Sequence, residues 1–185
     1  MILHLMHPHA HFPNLPVEGD AASTVQVVSY EDLQCGDCAI WRRMMDQTLL
    51  PEFEDRVAFI SRDFALPKHN WAELAAMVSR RLAVHDSGAC VDFRRYCLTH
   101  IADINLENLP DRAAEFFAAR GFPASDAVLA MENADLRAAV RADHAEGVER
   151  GVTHTPTVFV GRRSFIEIFT AEQVAEAIRA ALAKA

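Results

Sequence analysis

The sequence predicts a mixed α/β fold in which a strand-bearing domain is interrupted by a block of helices. Three observations carry that prediction. Residues 24–63 run strand, C-x-x-C, helix, strand; residues 65–150 show helical periodicity only; and residues 155–182 return to strand, strand and helix. A strand–helix–strand unit closes as a parallel crossover of right-handed sense. The helical block falls between the second and third predicted strands. No internal repeat is visible. The predicted organisation is a His/Pro-rich arm over 1–20, the strand-bearing domain over 21–64 and 151–185, and an inserted helical subdomain over 65–150.

The elements follow from local chemistry. Thr24 to Tyr30 (TVQVVSY) is short, β-branched and aromatic, the composition of a buried strand. A helix follows from about Gly36 to Leu50, with Ile40, Met44, Met45 and Leu49 at helical spacing and Pro51 as its expected stop. Arg56 to Asp63 alternates as a second strand. Trp71, Leu74, Ala75, Val78 and Leu82 form one apolar helical stripe, and Cys90, Phe93, Cys97, Ile101 and Ile104 a second. Pro110-Asp111 opens a third helix ending at Gly121. A short helix spans about Ser125 to Met131 with Ser125 as the expected N-cap, and a longer one Asn133 to Arg150 ends at Gly151. Thr155 to Val160 is a strand beginning at a proline, and Gly161-Arg162-Arg163 turns it into a partner over Ser164 to Phe169. Thr170 and Gln173 have the spacing of a capping box for the Ala-rich last helix.

Composition bounds the function. The chain has 185 residues, 18 Lys+Arg against 26 Asp+Glu and a net charge of −8. Such an acidic chain, without a basic run longer than Arg80-Arg81, lacks the positive face that a nucleic-acid phosphate backbone requires. No segment approaches 18 uninterrupted apolar residues, so no membrane span is expected. The first twenty residues lack the basic start and sustained apolar middle of a secretory leader, so the chain as given is expected to be cytoplasmic.

The chemistry centres on Cys35-Gly36-Asp37-Cys38. Cys35 stands where a strand gives way to a helix, and the free N–H groups and dipole of a helix N-terminus favour a thiolate there. Cys38, one turn deeper, is within reach to close a disulfide with Cys35 and to resolve a mixed disulfide from behind. Zinc ligands share the C-x-x-C spacing, so its placement between strand and helix adds most of the weight. Four cysteines are too few for a disulfide-stapled scaffold of this size.

With VVSYEDLQCGDC at 27–38, a helical insertion, and GVTHTPTVFVG at 151–161 followed by a helix, the chain resembles the DsbA-like branch of the thioredoxin superfamily over residues 21 to 185. The resemblance implies a thioredoxin fold with an all-helical insertion between the second and third strands. It implies a protein-disulfide oxidoreductase with Cys35 as nucleophile and Cys38 as resolving thiol. It also implies a cis Thr155–Pro156 peptide beside them, where the residue before the proline pairs its backbone with an incoming peptide. Cysteine-containing proteins or peptides are then the substrates and a second thiol couple the redox partner. No cofactor is required, since the cysteines carry both electrons.

Four positions depart from the family pattern. Gly36 and Asp37 replace the more usual Pro-His or Pro-Tyr. A carboxylate at Asp37 is expected to raise the Cys35 thiol and make the pair less oxidising than DsbA. His154, two before Pro156, is positioned in sequence to face the thiolate and oppose Asp37, or to lie exposed in its loop. Ser29 occupies the place of a buried Glu six residues before the first cysteine, which leaves Glu31 and Asp32 as the nearest carboxylates.

Other readings compete with these. Cys35 and Cys38 as half of a zinc site would need Cys90 and Cys97, which lie ~10 Å apart along one helix and so neither share a metal nor form a disulfide. Both are expected in the core as small apolar groups. His4, His7, His9 and His11 invite an adventitious metal, but no carboxylate precedes Glu18. Trp41 is expected in the core and Arg42-Arg43 on a solvated face. Two functional alternatives stand beside the oxidoreductase: a glutathione-linked oxidoreductase or isomerase, and an inert module that binds peptides beside Pro156.

Overall fold

The computed structural model describes residues 16–185, so the His-rich stretch with His4, His7, His9 and His11 lies outside the described residues. A five-stranded sheet has the order β1-β3-β2-β4-β5: β1 (Val17–Gly19), β2 (Gln26–Glu31), β3 (Ala58–Asp63), β4 (Thr157–Val160) and β5 (Arg163–Ile166). β2 and β3 pair in parallel, Val27 opposite Phe59 and Glu31 opposite Asp63, and the other pairings are antiparallel. The insertion between β3 and β4 contains α3 (Ala72–His85), α4 (Ser87–Thr99), α5 (Leu109–Ala118), α6 (Ala124–Glu132) and α7 (Ala134–Glu149).

Strand alternation sorts the sheet into two faces. Val27, Phe59, Val158 and Val160 turn to α1 (Gly36–Met44), α2 (Leu50–Phe53) and α8 (Ala171–Leu182), where Trp41, Phe53, Val174 and Ile178 complete one core. Tyr30, with Val28 and Phe159, turns to the opposite face and meets Phe64 and Val152. A separate core holds the insertion together around Phe93, Phe117, Leu82, Cys90 and Cys97, and it extends to Cys35 and Cys38. The C-x-x-C segment therefore lies at the seam between the two halves of the chain.

Several sequence expectations are corrected. Residues 17–19, placed in the N-terminal arm, are an edge strand against β3. Three residues carry too little alternation to be recognised, and their position is set from afar. Glu18 binds Arg42 and Arg95, and Gly19 takes φ +81° where a Cβ would meet Val57 O at 2.3 Å. Arg42, expected in solvent, is therefore buried, with Nη1 2.5 Å from Glu18 and Nη2 2.6 Å from Asp46. Pro51 does not stop the first helix. α1 passes through a π turn over Met45–Leu49 into α2, which carries Pro51 in its first turn. Proline has no N–H to donate and crowds the preceding turn, and the wider π turn absorbs both defects. Ile40 is exposed, and the buried stripe of this helix is instead Trp41, Met45 and Leu49.

Other boundaries shift as well. Ile101 and Ile104 lie beyond α4, and α6 begins at Ala124 after Pro123, so Ser125 sits in its first turn rather than at its cap. The partner strand of β4 is shorter than expected, because Glu167 at φ 52° ends it. The Asn133 cap of α7 and the Thr170–Gln173 capping box of α8 are formed.

α7 approaches the sheet closely at Gly147, where a Cβ would lie 2.7 Å from the Phe64 ring and 2.9 Å from Tyr30. Gly147→Ala is expected to lower stability by about 1–3 kcal/mol despite alanine's better helix propensity, as overpacking does in a filled core. Urea denaturation would show a lower midpoint at unchanged slope; an equal or higher midpoint would mean that the rings yield.

Candidate active site

β2 ends at Glu31, and a turn of three residues delivers Cys35 to the cap position of α1, with extended dihedrals φ −92° and ψ 124°. Asp32 builds this turn. Its carbonyl accepts from Cys35 N at 3.1 Å, its Oδ1 from Gln34 N at 2.7 Å, and its own N–H points at Cys38 Sγ at 3.4 Å. Its Oδ2 accepts from Leu66 N at 2.7 Å and bonds His69 Nδ1 at 2.8 Å. An acidic side chain before a helix commonly serves the backbone in this way, but its tie to His69 spans 37 residues and has no local signature.

Cys35 and Cys38 are both free thiols, with opposite environments. Cys35 is 7% exposed and its thiol is lowered to about 6. The largest cause is a hydrogen bond from the Cys38 thiol. Burial opposes it, and the Thr155 side chain and the backbone N–H groups of Cys38 and Asp37 reinforce it. Cys38 has no exposed surface and is raised well above the usual thiol range, first by burial, then by Cys35 and the negative charge of Glu31. The two sulfurs thus share one arrangement: the inner thiol keeps its proton and donates it to the outer thiolate.

The segment before β4 closes the other side. The Thr155–Pro156 peptide is cis, and the Thr155 carbonyl lies 3.4 Å from Cys35 Sγ. Thr155 Oγ1 is buried and makes no hydrogen bond with any other group, which leaves it as a donor to the thiolate. Gly36, Asp37 and His154 are brought to the same region but take different parts from those expected. The Asp37 side chain is exposed and its N–H favours the thiolate; with the Cys38 thiol as the largest cause, the Cys35 thiol lies below the free value instead of above it. His154 is exposed, with Nδ1 2.8 Å from Thr153 Oγ1. Gly36 faces open space, where a Cβ would meet nothing within 4 Å.

Beneath Cys38 lies Glu31, 3% exposed. Ser29, two residues earlier on the same strand face, donates to Glu31 Oε1 at 2.5 Å. Trp41 Nε1 and Ser61 Oγ bind the same oxygen at 3.1 and 3.2 Å, and Arg94 holds Oε2 at 3.2 Å. Position 29 thus supplies a serine donor to the carboxylate two residues along the same strand face. Trp41 is in the core as expected and has this polar duty as well.

Glu31 opens a buried ladder of charge that sequence reading missed. Arg94 bridges Glu31 and Asp63, Arg80 bridges Asp63 and Asp143, and Arg62 closes on Asp143 at 2.8 Å. Three carboxylates face three guanidinium groups. Burial opposes the charge of Asp63, but Arg80 and Arg94 hold its carboxyl below the usual range. Asp143 is raised, by burial and by Asp63. Cys90 and Cys97 are fully buried within the insertion, Cys90 Sγ 3.1 Å from Ser79 Oγ, and burial raises both thiols. Among the described residues, no group of three or more His, Cys, Asp or Glu side chains is placed to hold a metal ion, and no helix is long and apolar enough to cross a membrane.

The architecture and the sequence both have counterparts. The family model described as Thioredoxin matches residues 13–180. No curated protein matches the sequence. Among solved structures, BdbD from Bacillus subtilis superposes with a TM-score of 0.80 at 18% identity, covering 90% of this chain and 92% of that one. The thiol-disulfide exchange protein α-DsbA2 from Wolbachia pipientis gives 0.76 at 20% identity over 90% and 86%. The catalytic domain of Proteus mirabilis ScsC gives 0.74 at 15% over 92% and 90%. At these identities the likeness is one of fold, while the family match spans nearly the whole sequence. The chain belongs to the thioredoxin family, and its fold is that of the DsbA-like thiol–disulfide oxidoreductases.

Proposed function

We propose that the protein is an enzyme that exchanges disulfides with cysteine-containing proteins or peptides through the Cys35–Cys38 pair. The observation that carries this reading is the opposed environment of the two thiols. A thiol near 6 is roughly nine-tenths thiolate at pH 7, whereas a free cysteine is only a few per cent ionised. The Cys35 thiolate attacks a substrate disulfide, forms a Cys35–substrate disulfide and releases one substrate thiolate. Cys38 then loses its proton and attacks Cys35 Sγ, which forms the Cys35–Cys38 disulfide and releases the second substrate thiolate. The protein gives up two electrons and the substrate gains them; the reverse sequence oxidises a dithiol. Thr155 presents its backbone beside Cys35, in keeping with pairing to a peptide substrate.

Cys38 is poorly reactive while it keeps its proton, so resolution needs an acceptor. Glu31 is the carboxylate whose charge reaches Cys38, and its serine and tryptophan donors and Arg94 keep it in place. We assign it that role. The outer thiol near 6 lies between the ~7 of thioredoxin and the ~3.5 of DsbA, so the pair is a weaker oxidant than DsbA. The hydrogen bond from the Cys38 thiol is the largest cause of that position, with Thr155 and the backbone N–H groups of Cys38 and Asp37 adding to it.

Equilibration in glutathione buffers of graded potential, with thiols trapped and counted by mass spectrometry, tests the reading. A Cys35–Cys38 disulfide is expected with a midpoint between about −270 and −120 mV at pH 7. The midpoint is expected to fall by about 59 mV per pH unit below pH 6, where reduction takes up two protons, and by about 30 mV above it, where one proton suffices. Absence of any such disulfide would overturn the reading in favour of an inert binding module. Resolution of substrate in Cys38→Ser with glutathione as the only thiol would favour the glutathione-linked alternative.

The lowered thiol also has a stability consequence. Between pH 6 and about 8.5 the reduced unfolded chain holds a proton at Cys35 that the folded chain has lost. Stability from this group therefore rises with pH across that window and is absent below pH 6. Thr155→Val removes a buried donor and is expected to raise the Cys35 thiol by about one to two pH units, read as the absorbance of the thiolate at 240 nm. An unmoved titration would remove Thr155 from the thiolate's support. Glu31→Gln is expected to slow release of a preformed mixed disulfide about a hundredfold near pH 7, with the loss recovered as pH rises. Equal rates in the two proteins at every pH would assign the proton to another group.

A further inference from the structure

Behind the turn that carries Cys35, the segment joining β3 to α3 and one face of α7 enclose a cavity of about 570 Å³. Its floor is aliphatic. Leu66 and Leu74 remain only half-buried there and Val140 closes the bottom, so apolar surface stays in contact with water that an apolar ligand would displace. Its rim is basic. Arg137, Arg141 and His144 recur at i, i+4 and i+7 on α7 and share that face, with the His144 ring flat against Phe64 at 4.2 Å.

Glu73 is the one carboxylate of the lining. It is committed to Arg137 at 2.5 Å, which the Met131 carbonyl also fixes. Arg141 reaches Glu73 only at 3.3 and 3.4 Å and is 66% exposed. Its planar fork is free to turn to a second carboxylate, which fork geometry matches well. The rim thus carries a surplus positive charge in a chain whose net charge is −8.

The cavity also touches the redox turn. Leu66 and His69 line it, and both bind Asp32 Oδ2, while the backbone of Asp32 holds Cys35 N and faces Cys38 Sγ. We propose that this cavity binds a small amphipathic carboxylate, its chain on Leu66, Leu74 and Val140 and its carboxylate on Arg141, and that occupancy alters the reactivity of Cys35 through Asp32. This site is separate from the disulfide-exchange site proposed above.

The test titrates the reduced, ¹⁵N-labelled full chain with sodium hexanoate, and in parallel with sodium acetate and hexan-1-ol, following the amide resonances of Leu66, Leu74 and Val140. Saturable shifts with hexanoate are expected, with acetate and hexan-1-ol each at least tenfold weaker. Arg141→Gln, at an exposed position, is expected to weaken hexanoate at least tenfold and leave hexan-1-ol unchanged. Absence of saturation with hexanoate, equal binding by the variant, or acetate binding as tightly as hexanoate would each overturn the site. The second readout is the pH profile of Cys35 alkylation, expected to shift in saturating hexanoate and not in Arg141→Gln; an unshifted profile with the site filled would overturn the coupling. The resonance titration needs no redox turnover, so loss of the site and loss of the disulfide-exchange reading are told apart.

Discussion

The fold depends on burying charge at the carboxyl ends of two parallel strands. Glu31 and Asp63 close β2 and β3 side by side, and their proximity inside the protein is costly without compensation. Arg94 from α4, Arg80 from α3 and Arg62 from β3 provide it, with Asp143 of α7 completing the balance. Removing one member would strand a charge, an effect of about 3–5 kcal/mol. The insertion is therefore more than an appended lid. Two of its helices, α3 and α4, neutralise the strand ends beside the C-x-x-C turn, a third, α7, balances the arginines with Asp143, and register between the two halves follows from that requirement.

The redox pair exploits this arrangement. Cys35 stands at a helix start, where backbone N–H groups have no partners of their own, and Cys38 lies in the apolar seam between sheet and insertion. Burial raises the inner thiol, and the proton that the inner thiol keeps is donated to the outer sulfur, which lowers the outer thiol against its own burial. Glu31 joins the pair to the ladder, and its carboxylate is held by the same guanidinium that ties α4 to the sheet. Asp32 shapes the turn and links it to the segment after β3.

Much of the architecture was legible in the chain. The strand–helix–strand start, the helical block and the closing hairpin with its helix are local patterns of period and turn chemistry. The C-x-x-C at a strand–helix junction and the Thr-Pro before a strand mark the site in the same way. What failed did so for identifiable reasons. β1 is too short to show alternation. The helix through Pro51 survives by a π turn that no propensity records. Arg42 counted as solvated because the carboxylate that buries it lies 24 residues away.

The sequence by itself determined which elements form and which two cysteines stand together at a strand–helix junction, because both rest on contacts within a few residues of each other. Tertiary structure decided their surroundings. Thr155 at the outer sulfur and the Ser61 and Arg94 partners of Glu31 come from 30 to 120 positions away, and the burial that raises the inner thiol comes from packing against the insertion. Arg62, Arg80 and Arg94 look like surface charges in one dimension. Only folding shows that they are buried, since the burial of a charge is a property of its partners and not of its neighbours in the chain.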